Sequence, residues 1–272
     1  MIRIESMAAY AHWTAITLYL ATTAVAATAL AHKRQPDNRL LLALLAAALT
    51  THAISLVHTL FSPLGYRFDL LAMLSLVTWV VNLLLLMLAA KRPLTLLILI
   101  FAPIGAITEF AASHTWGAVT PHGQLSTGIA VHALLSILAY SLLTLATLQA
   151  IYLYYMNQQL HKHRPVGAAR LLPPLQSMES LLFGLITLGQ LLLTASLVTG
   201  FVFVGNLFEQ GPMHKTLLSI IAWVLYSILL WGHWQWGWRG NTAVRWTLCA
   251  FATLMLAYFG SKLVMEVILQ RG

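Results

Sequence analysis

Apolar residues run along this chain in eight long stretches, separated mostly by short polar intervals. The stretches cover approximately 8–31, 38–60, 69–90, 94–110, 127–155, 178–204, 215–236 and 243–269. About 20 helical residues cross a bilayer's hydrocarbon layer, so each stretch predicts a membrane-spanning helix. The expected fold class is an all-α integral membrane protein, a bundle of about eight transmembrane helices. Almost nothing between the stretches remains for a soluble domain, so residues 1–272 read as a single membrane domain.

The intervals refine this picture. Pro103-Ile104-Gly105 predicts a kink in the fourth span. Ser177 is placed to cap the start of the sixth. Two loops are longer: Glu109 to Thr127, with His114, Trp116, Pro121 and His122, and Gly205 to Lys215. Either could be re-entrant, since irregular backbone is tolerated where it lines a protein cavity. No repeat of fixed period and no inverted duplication is visible.

Composition agrees with the pattern. The chain is 60% hydrophobic and 8% charged, with a mean hydropathy of +0.81. Its net charge of +8 is sorted by loop. Lys33, Arg34, Arg39, Lys91, Arg92, Lys162, Arg164, Arg170, Arg239 and Arg245 fall on one side; Arg3, Arg67, Lys215, Lys262 and Arg271 fall on the other. Basic residues favour the cytoplasmic side, which predicts both termini outside. The positive charge is thus a topology signal and a lipid contact, which excludes nucleic acid as the expected partner and makes membrane lipid one. Arg3 and Glu5, followed by a run long enough to remain a span, argue against a cleaved signal peptide. Cys249 is single, so neither an internal disulfide nor a C-x-x-C-H haem attachment is expected.

Candidate chemistry rests on eleven histidines. Ionisable side chains at membrane depth are costly and usually face a cavity, a partner or a cofactor, and imidazole is the usual axial ligand of haem iron. His132 opens the fifth span, with Ser136 and Tyr140 at i+4 and i+8 on the same face. It reads either as a ligand or as part of a polar ridge bonded to a neighbouring helix. His52 and His58 are six residues apart and do not eclipse on an ideal helix, so they form no chelating pair. His233 stands among Trp231, Trp234, Trp236 and Trp238, which read as an interfacial aromatic belt. His214 lies beside Lys215 at the start of the seventh span. Glu109 and Glu179 read as helix-end markers, so a proton-coupled pump is not expected.

Several segments, in order, resemble the CcsA/CcmC cytochrome c assembly family and its YpjD-like branch. They are His132-Ala-Leu-Leu-Ser-Ile-Leu-Ala-Tyr140, Leu172-Pro-Pro-Leu-Gln-Ser-Met-Glu179, Gly200, and Lys215 to Tyr226. Leu230-Trp-Gly-His233, Gly237-Trp-Arg-Gly240 and Tyr258-Phe-Gly260 complete the set, and the family-like region spans about 40–270. The resemblance implies a haem-handling, non-catalytic protein of a bacterial inner membrane, with haem b as cofactor and other cytochrome assembly proteins as partners. It implies haem-iron ligation by His132 on the outer side and by His233 within the membrane, with His52 as partner of His233. His58 and His214 are further haem-contacting candidates, and with His114 and His122 they are the available mates for His132. The family's W-G-x-x-W-x-W-D haem-presenting signature is absent: residues Asn206 to Lys215 contain neither Trp nor Asp. Two other readings remain open on the same residues. One is a permease, or an accessory to one, for a metal ion or small solute, with the histidines as ligands. The other is a haem-free assembly scaffold.

Overall fold

Eight α-helices make up nearly all the described residues of a computed structural model, which are 2–32, 37–62, 65–66, 69–91, 94–114, 127–161, 175–203 and 213–260. The chain separates into two compact units, residues 1–123 with 167–172, and 124–166 with 173–272. Unit 1 contains α1 (Ile2–Ala31), α2 (Asn38–Leu60), α3 (Leu70–Ala89) and α4 (Thr95–His114), with a two-residue antiparallel pairing of Phe61–Ser62 and Gly65–Tyr66 between α2 and α3. Unit 2 contains α5 (Thr127–His161), α6 (Leu175–Phe203), α7 (Met213–Trp236) and α8 (Gly240–Met255), which runs into a π-helical turn at Leu256–Gly260.

Each unit closes a ring of helices. In unit 1, α1 packs on α2 and α4, and α3 packs on the same two; in unit 2, α5 packs on α6 and α8, and α7 on the same two. Large apolar side chains such as Val57, Met87, Ile107, Leu191 and Val202 are exposed, while His12, His52, Asn82 and Glu109 are buried. That inversion of the soluble pattern is what a lipid solvent selects, because polar groups have no partner in hydrocarbon. Among the described residues, seven helices are long and apolar enough to cross a membrane. The α-helical part of the eighth is 16 residues long, and the stretch expected beyond Gly260 lies outside the described residues.

Two boundaries differ from expectation. Helix α6 begins at Leu175, so Ser177 lies inside its first turn rather than capping it. Pro103 is accommodated inside α4, which continues to His114 instead of ending near 110. Glu109 is therefore not a helix-end marker: it sits inside α4 with 2% exposure, held by the imidazoles described below. Asp69 does cap α3, accepting from Ala72 N–H at 2.9 Å. Asp69→Ala is expected to lower the unfolding free energy by about 1 kcal/mol, read from a detergent denaturation curve.

Candidate functional site

The densest polar cluster is in unit 1 and draws on all four of its helices. His12 and Tyr19 are seven residues apart on α1, two helical turns, and so share a face. Glu109 of α4 lies between two imidazoles. Its Oε1 is 3.1 Å from Nδ1 of His12, and its Oε2 is 2.8 Å from Nε2 of His52 on α2. Ser75 of α3 donates to the same Oε2 at 3.1 Å and stands 2.9 Å from Nε2 of His52. Nδ1 of His52 meets the Tyr19 hydroxyl at 3.0 Å. On the other side, Nε2 of His12 is 2.9 Å from Ser113 Oγ, which is also 2.9 Å from Nδ1 of His114. His114 is exposed and packs on the Phe110 ring at 4.2 Å.

Both ring nitrogens of His52 are thus taken up inside unit 1, as are both of His12. His58, on the last turn of α2, is exposed. His214 belongs to the first turn of α7, and its side chain lies outside the described residues, as does His122.

The other two histidines singled out by the sequence lie in unit 2 and share one arrangement. His132 of α5 donates from Nδ1 to the carbonyl of Ser196 on α6 at 2.8 Å. Gly200 makes this approach possible, since a Cβ there would stand 3.0 Å from Cε1 and 3.2 Å from Nδ1 of His132. Ser136, one turn on, pairs with Ser196 Oγ at 2.7 Å, and Tyr140 donates to Leu254 of α8 at 2.7 Å. The expected polar ridge is therefore present and bonds α5 to its neighbours.

His233 closes the end of α7 in a similar way. Gly237 adopts φ +66° and turns the chain back, so that the Trp238 carbonyl accepts from Nδ1 of His233 at 2.9 Å. Gly232 leaves room for the Trp238 indole, whose Cε3 would lie 2.4 Å from a Cβ at that position. Phe183 of α6 stacks on the imidazole at 3.5 Å and 14°. Trp231, Trp234 and Trp236 are exposed, as interfacial residues would be. For both His132 and His233, Nε2 has no hydrogen-bond partner among the described residues. A histidine that ligates a metal usually spends its other ring N–H on a carbonyl or carboxylate, which sets the tautomer; both have that form.

Along α6, Ser196 and Phe183 mark the depths of the two histidines. Thirteen residues at about 1.5 Å each separate them by roughly 20 Å, so they serve two places rather than one. Among the described residues, no three His, Cys, Asp or Glu side chains are grouped to hold a bare metal ion.

Sequence reasoning named His132, His233 and His52 but passed over His12 and misread Glu109. The signal available was weak. His12 and Tyr19 mark one face of α1, as Glu109 and Ser113 do on α4, but nothing in the spacing joins the two.

Helices of this length, polar within and apolar without, define a multi-pass membrane protein. Its sequence matches the cytochrome c assembly protein family over residues 41–269, and the chain belongs to that family. It is 32% identical over 256 residues to the inner membrane protein YpjD of Escherichia coli, covering 93% of this chain and 97% of that protein. It is 34% identical over 145 residues to an uncharacterized 28.8 kDa protein in the nifR3-like 5′ region of Azospirillum brasilense, covering 52% of this chain and 53% of that one. No solved structure matches. The resemblance drawn from His132 to Gly260 is borne out, and the chain is a multi-pass protein of the inner membrane.

Proposed function

We propose that this chain binds haem within the membrane and handles it for cytochrome c assembly without catalysing a reaction, using two separate stations in unit 2. One observation carries the reading: His132 and His233 each fix Nδ1–H on a backbone carbonyl, leaving Nε2 as an open imidazole donor. The residues fit the group, because Gly200 clears the space in which the His132 ring lies and Phe183 orients the His233 ring. Haem bound there would supply a redox-active iron with visible absorption. With both termini outside, His132 stands near the outer surface and His233 near the inner one, a spacing suited to handing haem across the bilayer. His52 lies outside this ligand set, since its nitrogens are already bonded.

The test is a reduced-minus-oxidised absorption spectrum of the detergent-purified chain, with haem content per polypeptide. His132→Ala and His233→Ala are each expected to remove one station's share, and the double variant to remove the α-band. His52→Ala is expected to leave the band in place wherever the variant folds. A featureless spectrum in the unaltered chain, even after haem is added, would overturn the reading and favour the haem-free scaffold.

A further inference from the structure

Unit 1 buries a carboxylate and two imidazoles that the haem reading leaves unused. With both rings neutral, the partners dictate the tautomers. His12 donates from Nδ1 to Glu109 Oε1, and its Nε2 stands 2.9 Å from Ser113 Oγ, whose one proton it shares with the Phe110 carbonyl. His52 donates from Nε2 to Glu109 Oε2 and accepts at Nδ1 from Tyr19. In that state the cluster holds one unbalanced negative charge on a residue 2% exposed, which a membrane interior penalises severely. A single added proton cancels it.

The groups facing the cluster are His12 and Tyr19 from α1, His52 from α2, and Glu109 and His114 from α4, while α3 contributes the Ser75 hydroxyl and α2 the Ser55 hydroxyl, which also bonds Glu109. The entry is visible in the geometry. Ser113 Oγ stands between Nε2 of buried His12 and Nδ1 of exposed His114, 2.9 Å from each. The Phe110 carbonyl also accepts from Ser113 Oγ at 2.9 Å and from His114 Nδ1 at 2.8 Å, so each must turn from it to pass a proton inward. A second observation lies at the opposite end. A Cβ on Gly105 would be 3.1 Å from both Tyr19 Cζ and Asn82 Nδ2. Asn82 is fully buried; its Nδ2 donates to the carbonyls of Thr78 and Phe101, and among the described residues its Oδ1 has no partner. An orphaned buried acceptor calls for a water or a proton carrier.

We propose that unit 1 is a proton-exchange site. One proton shared by His12, Glu109 and His52 passes to and from the membrane surface through Ser113 and His114, with Tyr19 and Asn82 at the buried end. Uptake balances step by step. His114 gains a proton from water at Nε2 and yields its Nδ1 proton to Ser113 Oγ, and Ser113 passes its own hydroxyl proton to Nε2 of His12. His12 becomes an imidazolium paired with the Glu109 carboxylate, and release runs in reverse. Since no nitrogen of His12 or His52 is left for iron, the site stands independently of the haem reading.

The experiment is ¹⁵N NMR of the full chain, labelled in its histidine rings, in lipid nanodiscs between about pH 5 and 8. The His12 signal is assigned by its loss in His12→Gln. The expected result is an imidazolium at His12 whose ring protons exchange rapidly with water. Glu109→Gln, which keeps the shape and removes the charge, abolishes the imidazolium in that range. Ser113→Ala keeps it but slows the exchange by about ten-fold or more, because a buried ring then exchanges only through local opening. His114→Ala slows it less, since Ser113 is itself exposed. A His12 ring that stays neutral throughout in the unaltered chain marks the cluster as a static polar core and overturns the proposal. So does a Ser113→Ala exchange rate equal to that of the parent. If Glu109→Gln does not fold, the exposed Ser113 variant still decides the question. Haem spectra of the same samples are expected to be unchanged, which separates this outcome from that of the two-station reading.

Discussion

Replacing Glu109 with alanine is expected to destabilise the chain by about 2–4 kcal/mol. The carboxylate accepts from His12, His52 and Ser75, and all three bonds are lost at once, leaving Ser75 and His52 Nε2 only each other. An orphaned buried donor costs about 1–3 kcal/mol in soluble proteins. Side-chain hydrogen bonds between membrane helices average only about 0.6 kcal/mol, because the unfolded chain in lipid also finds partners. Three bonds on the membrane scale give about 2 kcal/mol, and the ionic character of these raises the figure. Loss of helicity on titration with denaturing detergent measures it. A change below about 1 kcal/mol would show that the cluster contributes little to holding α1, α2, α3 and α4 together. Glu109→Gln retains one acceptor oxygen and is expected to lose about half as much.

On the proposed two-station reading, Gly200→Val is expected to remove the share of haem assigned to His132 while leaving the fold intact. A Cβ alone would press on the imidazole at 3.0 Å, and the two γ-methyls of valine leave no room for the ring against the Ser196 carbonyl. The ring must then rotate away, and the Nδ1 bond that sets its tautomer is lost. Gly200 is buried against His132, so the overpacking is expected to cost about 1–3 kcal/mol, while valine remains helical. Haem content should fall to that of His132→Ala, and the double variant Gly200→Val with His132→Ala should lose no more. Gly200→Ala, which asks the ring to move by only a few tenths of an ångström, is expected to weaken haem retention partway. Full retention in the valine variant would remove His132 from the ligand set.

These two predictions differ in how far the chain itself announces them. His132, Gly200 and His233 were legible because the family-like segments that contain them are local in sequence and keep their order along the chain. The roles of Gly200 and Gly232 could be seen only in the structure, since what each leaves room for lies on another helix or beyond a turn. His12 and Glu109 were illegible for a stronger reason. They are 97 residues apart, and each alone looks like an ordinary polar residue near the end of an apolar stretch. The expectation that Glu109 marks a helix end failed because its charge is met by imidazoles from α1 and α2 and needs no water. The pairing of His52 with His233 came from the family resemblance and the place of His52 in the second span, which says nothing about where a ring's nitrogens are spent.

The amino-acid sequence by itself determined the helical class, the positions of seven spans to within a few residues, and the family. Those follow from hydrophobicity summed over about 20 consecutive residues and from short segments in fixed order, both properties that need no partner. Only the tertiary structure decided which polar groups meet. A one-residue step turns a helix by about 100° and lifts it about 1.5 Å, while a hydrogen bond tolerates only a few tenths of an ångström. The pairing of His12 with Glu109, or of His132 with the Ser196 carbonyl, is therefore set by how whole helices pack, and no periodicity along the chain encodes it.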